Sequence, residues 1–249
     1  MDDADARKLA SVAERGPGFQ AGDLNDEAVV RTFEDLTDTI RNVDVNNVAK
    51  KANDAIALIR EKQKKASRTG KLLLGLVIDK FTLLTTETPP SGKYDRAYFE
   101  VQIEIIRLLL EHKLFMQAYT VMREFIAALG MIPFEKEGMN NKKRKKRRKQ
   151  HAEVFLQMVQ RKESGWIFHG GKADMAERLR PFYHLLKEKG VLSEINLFIN
   201  DLVDYRNGFD HCWTGVAGAK TDISEQGNRF ISHLKKILNQ LEKHQMLDY

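Results

Sequence analysis

The sequence predicts an all-α fold on three observations. Apolar residues recur at spacings of three and four along most of its 249 residues, the period of helices with one buried face. No stretch of alternating apolar and polar residues is long enough to read as a half-buried strand. Only 5 prolines occur, two of them adjacent at Pro89-Pro90, so long helices can run uninterrupted. An apolar content of 42% allows a sizeable core, and a charged content of 31% suits helices with solvated outer faces.

Residues 1–24 show little periodicity and carry the breaker Gly16-Pro17-Gly18. Asn25 then reads as a helix cap, with Asp26 and Glu27 in the first turn, where acids suit the positive end of the helix dipole. Val29, Phe33, Leu36 and Ile40 form the apolar stripe of that helix. A second helix is expected over 45–65 on Val48, Ala52, Ala55, Ile56 and Ile59. Ser67-Arg68-Thr69-Gly70 reads as punctuation, and 71–84 as a buried helix, with a strand as the alternative for so short an apolar run. The loop 86–93, TETPPSGK, separates an N-terminal helical segment, 1–90, from a helical domain, 91–249.

In that domain, Phe99, Ile103, Ile106 and Leu110 predict a helix over 96–112. Phe115, Ala118, Met122, Phe125 and Leu129 predict another over 114–129. So short a connection implies an antiparallel hairpin. A polar and basic insertion, 135–150, reads as a solvated loop and is followed by a helix over 152–160. A loop over 165–172 holds Trp166, Phe168 and His169, with the aromatics expected to anchor it in the core rather than to stack on bases. A helix over 173–189 stops at Gly190, and Ser193 is placed as the cap of the next, which carries Ile195, Ile199, Leu202 and Arg206. A glycine-containing turn, TGVAGAK, leads to a last helix over 224–244.

The net charge of +6 is not a property of the whole chain. Residues 142–149 read KKRKKRRK; without these eight cations 33 basic residues remain of 41, against 35 acidic ones, a net of −2. Basicity is concentrated in Lys142, Lys143, Arg144, Lys145, Lys146, Arg147, Arg148 and Lys149, as suits an electrostatic tether for RNA without sequence preference. The lone cysteine, Cys212, rules out an internal disulfide and points to a reducing compartment. The acidic start, Met1-Asp2-Asp3-Ala4-Asp5, lacks the apolar stretch of a signal peptide. The apolar run within 72–84 is interrupted by Asp79 and Lys80 and falls short of the roughly 20 residues that span a bilayer. A cytoplasmic protein without a membrane partner is the expectation. The 7 histidines and one cysteine show no zinc spacing, so neither a metal nor another cofactor is expected.

The stretch Tyr205-Arg206-Asn207-Gly208-Phe209-Asp210-His211-Cys212-Trp213 concentrates chemistry. Arg206 continues the apolar stripe of its helix, and an arginine there needs a partner or a function. Histidine serves as acid or base near neutral pH, and arginine offers a fixed fork of donors to phosphate oxygens. Together they suit attack of a ribose 2′-OH on the adjacent phosphodiester, which works on RNA and not on DNA. On one continuous helix Arg206 and His211 would point about 140° apart. Their convergence therefore needs either a bend at Gly208 or a second copy of the chain.

Arg206-x4-His211, with asparagine directly after the arginine at Asn207, resembles the signature of HEPN-domain ribonucleases. The segment Gln117-Ala118-Tyr119-Thr120-Val121-Met122-Arg123-Glu124-Phe125 resembles the helix that precedes this motif in the CRISPR-associated DxTHG family. The resemblance covers roughly 96–249 and implies a HEPN-like helical bundle with an additional N-terminal helical segment. It implies that Arg206 and His211 are catalytic and that Asn207 positions them. It further implies homodimers with facing motifs, and metal-independent cleavage of single-stranded RNA leaving a 2′,3′-cyclic phosphate. Asp210, Arg123 and Glu124 are supporting candidates around the site. Two departures stand out. The first 90 or so residues lack the alternating strands and helices of the CARF sensor that accompanies HEPN domains in that family. Trp213 replaces the tyrosine that HEPN toxins often show two residues after the histidine. Three functions follow as expectations: an endoribonuclease of a CRISPR-linked or related defence system, with a possible separate sensor; a HEPN toxin with an antitoxin partner; and a non-catalytic helical RNA-binding protein.

Overall fold

The first helix is opened by Asp26, whose carboxylate accepts from the N–H groups of Ala28 and Val29 at 3.0 and 3.3 Å. The cap is therefore one residue later than Asn25. The computed structural model describes residues 26–85, 93–137, 141–210 and 222–248, with side chains described except at 136–149 and 248. Among the described residues there are ten α-helices, three short 3-10 helices and no strand.

α1 (Glu27–Arg41) and α2 (Val45–Lys65) form a hairpin, and α3 (Arg68–Thr82) folds back on α2. Lys62 of α2 donates to Asp26 at 2.5 Å, and this bond is the main reason the Asp26 carboxyl lies below its ordinary range. Ser67 caps α3 by accepting from the Gly70 N–H at 3.0 Å. The Ser67–Gly70 stretch is thus a helix start rather than a break. α3 is a helix, and it is half-buried: Leu74 and Ile78 face inward, while Leu72 and Leu76 are each 67% exposed.

α4 (Arg96–Glu111) and α5 (Phe115–Leu129) make the expected hairpin and lie at the centre of the molecule. α4 is covered by α2, α5 and α10 (Ile223–Lys243). α5 is covered by α4, α6 (Asn141–Gln160), α9 (Ile199–Asp210) and α10. Their burial on several sides explains why Val101, Ile105 and Leu109 are sealed as fully as the stripe residues Phe99 and Ile106. The basic run is not a loop. Residues 142–149 belong to α6, continuous with the buried turn that carries His151 and Phe155. Packing of that apolar end supplies the nucleus from which the helix extends through a sequence that could not hold it alone.

α7 (Gly171–Glu188) is followed by Gly190 with a left-handed φ of 79°. The helix expected from Ser193 is in fact two elements, α8 (Val191–Asn196) and α9, joined by a turn at Leu197–Phe198. Ser193 lies inside α8 rather than at its cap. The Trp166 segment is anchored: its indole N–H donates to the Met158 carbonyl at 3.1 Å, and its ring meets Tyr183 edge-on at 4.8 Å. One continuous apolar cluster runs from Leu36 and Val48 to Leu241, and a smaller one, Ile56, Ile59, Leu74 and Ile78, lies between α2 and α3. Among the described residues no helix is long and apolar enough to cross a membrane.

Candidate functional site around Arg206

α9 is built on a buried stripe of Ile199, Leu202 and Tyr205. Tyr205 and Arg206 both follow Leu202 at helical spacing, and the structure buries the tyrosine. The Tyr205 ring stacks on Tyr119 of α5 with centroids 5.1 Å apart, and its hydroxyl donates to Asp222 Oδ1 at 2.7 Å. Tyr119 in turn donates to the Ile223 carbonyl at 2.7 Å and meets Phe209 and Phe230 edge-on. Burial is the largest cause that pushes both phenols well above their ordinary range; the Asp222 carboxylate adds to it. Both therefore stay neutral donors, which is what their hydrogen bonds require. Asp222 also accepts from Gln226 Nε2 at 3.1 Å, so the start of α10 is fastened to the underside of α9.

Arg206 lies at the edge of this base with its side chain one-third exposed. Its Nη1 pairs with Asp210 Oδ2 one turn on, at 2.5 Å, and has a longer contact to Asn207 Oδ1 at 3.4 Å. Its Nε is buried and has no hydrogen-bond partner. Arg206, Asn207 and Asp210 are thus brought together on the last turn of one helix, where the negative end of the dipole favours a cation. The bend at Gly208, one of the two ways for Arg206 and His211 to converge, does not occur among the described residues: α9 runs on as regular helix through Gly208 and Phe209 to Asp210. Glycine weakens a helix by about 1 kcal/mol, and the contacts of Tyr205 and Phe209 with Tyr119, on either side of it, hold the turn. Asp210, the acid next to His211 in sequence, has its Oδ2 on Arg206.

His211 lies outside the described residues, as do Cys212 and Trp213. Of Lys142 to Lys149 the helical backbone is described and the side chains are not. Arg123 and Glu124 are placed on α5. The Arg123 Nη2 group donates to both carboxylate oxygens of Glu153 at 3.2 and 3.1 Å, and Nη1 reaches Glu124 at 3.3 Å. Arg123 therefore ties α5 to α6, the helix whose first half is the basic run. Tyr119, Tyr205 and Asp222 were not singled out by sequence reasoning. Tyr205 offered one signal, a hydroxyl on a buried stripe, which must find a partner. Tyr119 and Ile223 lie 104 positions apart, beyond any local pattern.

Among the described residues no group of three or more His, Cys, Asp or Glu is placed to hold a metal ion. Comparison of the chain with protein-family models, with curated proteins and with solved structures gives no match.

Proposed function

We propose that the chain is an endoribonuclease that cleaves single-stranded RNA without a metal ion, as a homodimer, in a CRISPR-linked or related prokaryotic defence. The observation that carries this reading is the Arg206 guanidinium. It is part-exposed at the end of a helix whose base is locked by Tyr205 and Tyr119, and it leads within five residues of sequence to His211. In the proposed reaction His211 takes the proton of a ribose 2′-OH, and the 2′-oxygen attacks the adjacent phosphorus. The bond from phosphorus to the 5′-oxygen breaks, and that oxygen receives a proton. The products are a 2′,3′-cyclic phosphate and a 5′-hydroxyl end. Arg206 binds the phosphate oxygens as negative charge builds, exchanging its bond to Asp210 for one to substrate. Asn207 positions the guanidinium, and the cations of α6 hold the RNA backbone.

A labelled single-stranded RNA incubated in EDTA tests the reading. Wild type cuts; Arg206→Ala and His211→Ala each lose about 100-fold or more, with the helical circular-dichroism spectrum intact; an RNA lacking the 2′-OH at the cleaved position is not cut. Undiminished cleavage by either variant overturns the assignment. A second reading is favoured by the ion pair of Arg206 with Asp210, which already satisfies part of the guanidinium. In it the protein binds RNA without cutting, through residues 142–149. Deletion of those residues then abolishes RNA binding, and His211→Ala is silent.

A further inference from the structure

α3 buries one side and leaves an apolar one in water. Leu74 and Ile78 pack with Ile56 and Ile59 of α2. Leu72, Leu73, Leu76 and the C-cap residue Leu83 are 67, 41, 67 and 55% exposed. Among the described residues seven large apolar side chains are exposed, and these are four of them. Single exposed leucines are ordinary, but a cluster on one element marks a contact surface. At about 100° per residue, Leu72, Leu76 and Leu83 fall within roughly 40° of one another, on the side opposite Leu74. Helix formation does not call for them, because lysine, glutamine or glutamate holds an exposed helical position about as well as leucine.

Charge is unevenly divided along the same helix. Arg68 and Lys71 stand at its N-terminal end, just after Lys64 and Lys65 of α2, and Asp79 stands near its C-terminal end. Arg68, Lys71 and Asp79 are exposed, and none of them is ion-paired with a described residue. Lys80, the cation beside Asp79, is engaged on α4: its Nζ lies 3.6 Å from Glu111 Oε2 and 3.1 Å from His112 Nε2. Arg68 and Asp79 project within about 20° of each other, on one flank of the leucine stripe and at its opposite ends.

We infer that the exposed face of α3 pairs with α3 of a second copy of this chain, antiparallel about a two-fold axis near Leu73 and Leu74. Such an axis sets each flank of the helix against the same flank of its partner, reversed end to end. Arg68 then meets the partner's Asp79, and Asp79 meets the partner's Arg68. Leu72 packs beside the partner's Leu76, and Leu73 beside the partner's Leu73. A parallel pair would instead set Arg68 on Arg68 and Asp79 on Asp79. An anionic membrane would attract the basic end and repel Asp79, so a second copy matches the charges better. One helix face offers far fewer than the roughly 20 residues a side of a standard stable interface, so the pairing is reversible and concentration-dependent. It lies on the N-terminal helices and does not depend on RNA cleavage by Arg206 and His211.

Sedimentation equilibrium of the full chain without RNA, over a range of concentration, decides the matter. Wild type should show a reversible step that doubles its mass. Leu76→Glu should move that step to about tenfold higher concentration or more, with the helical circular-dichroism spectrum intact because Leu76 is exposed. Arg68→Glu and Asp79→Lys should each weaken the association about fivefold or more, since each sets like charges together at both ends of the pair. An equal mixture of these two variants should associate as wild type does, because the mixed pair again has opposite charges at both ends. Arg206→Ala and His211→Ala should leave the step in place, which separates failure of this contact from failure of the nuclease reading. The absence of any mass-doubling step that Leu76→Glu moves overturns the proposal, as does a mixture that associates no better than either variant alone. Binding of a monomeric wild type to phosphatidylglycerol vesicles, abolished by Leu76→Glu, overturns it too and makes the face a membrane contact.

Discussion

Among the described residues, three non-glycine residues hold left-handed backbone just beyond helix ends: Val43, Lys113 and Gln245. At Lys113 the local hydrogen bonds explain the conformation. Lys113 N–H donates to the Leu110 carbonyl and Leu114 N–H to the Leu109 carbonyl, at 3.0 and 2.8 Å, which closes the end of α4 in a Schellman motif. The exposed lysine gains nothing there to offset a steric cost of about 1–2 kcal/mol. Lys113→Gly should therefore stabilise the protein by about 0.5–1 kcal/mol once glycine's extra freedom in the unfolded chain is subtracted, read as a higher urea midpoint. Two glycines make the opposite case through close approach. A Cβ at Gly130 would stand 2.5 Å from Phe155 Cβ, an atom fixed to its backbone, whereas one at Gly227 would meet the Leu110 methyls at 2.7 and 2.8 Å, which a rotamer change can withdraw. Gly130→Ala should cost about 2–3 kcal/mol and Gly227→Ala clearly less, in the same urea experiment. The choice between Tyr205 and Arg206 shows where single residues were legible. Spacing put one of them on the buried stripe, but which one is decided by Asp222 and Tyr119, partners that lie 17 positions away and on another helix.

At the scale of elements, the helix pair α8 and α10 is joined by Glu194. It accepts from His233 Nδ1 at 2.6 Å and lies 3.3 Å from Lys236 Nζ, and Phe198 stacks on the His233 ring. Burial by itself would raise the Glu194 carboxyl, but the bonds from His233 and Lys236 outweigh it and hold the group below its ordinary value of 4.5. The folded value lies below the unfolded one, so the stabilisation is present above the unfolded value and is lost as pH falls through the folded one. Glu194→Gln should cost about 1–2 kcal/mol at neutral pH, the range of a charge-assisted hydrogen bond discounted for partial exposure. The gap to wild type should narrow as pH falls from neutral through 4.5 and below, measured by urea unfolding of both proteins at neutral and acidic pH. Most elements were legible because each has an uninterrupted stripe of its own: 45–65 is bounded as the pattern says, and the α4–α5 hairpin follows from its short connection. The failures share one cause, non-local packing. The N-terminal half of α6 is polar throughout and is helical because Phe155 and His151 are buried beyond it. The expected Ser193 helix breaks at Leu197–Phe198, where Phe198 turns inward to Phe230 and His233.

At the scale of the whole molecule, α4 and α5 are a shared centre: α1, α2, the Arg206 helix and the last helix all pack on this hairpin. The all-α class was legible from periodicity alone, because a helix stripe is a local property. The assembly of the candidate site was not, because α9 runs through Gly208 without a bend, and the Arg206 side chain is held by its own helix. A continuous helix as far as Asp210 takes away the bend at Gly208; the other arrangement proposed for Arg206 and His211 is that the pair acts across two copies. That alternative has a quantitative consequence. If each site takes Arg206 from one copy and His211 from the other, a dimer of Arg206→Ala with His211→Ala contains one intact site and one that lacks both groups. Equal mixing with free exchange makes half of the dimers mixed, so RNA cleavage should return to about a quarter of wild type from two inactive proteins, as two-fold symmetry requires. If the pair acts within one chain, every site in the mixture lacks one group and no activity returns. Cleavage of a labelled RNA in EDTA by the two variants, separately and after mixing, reads the difference directly.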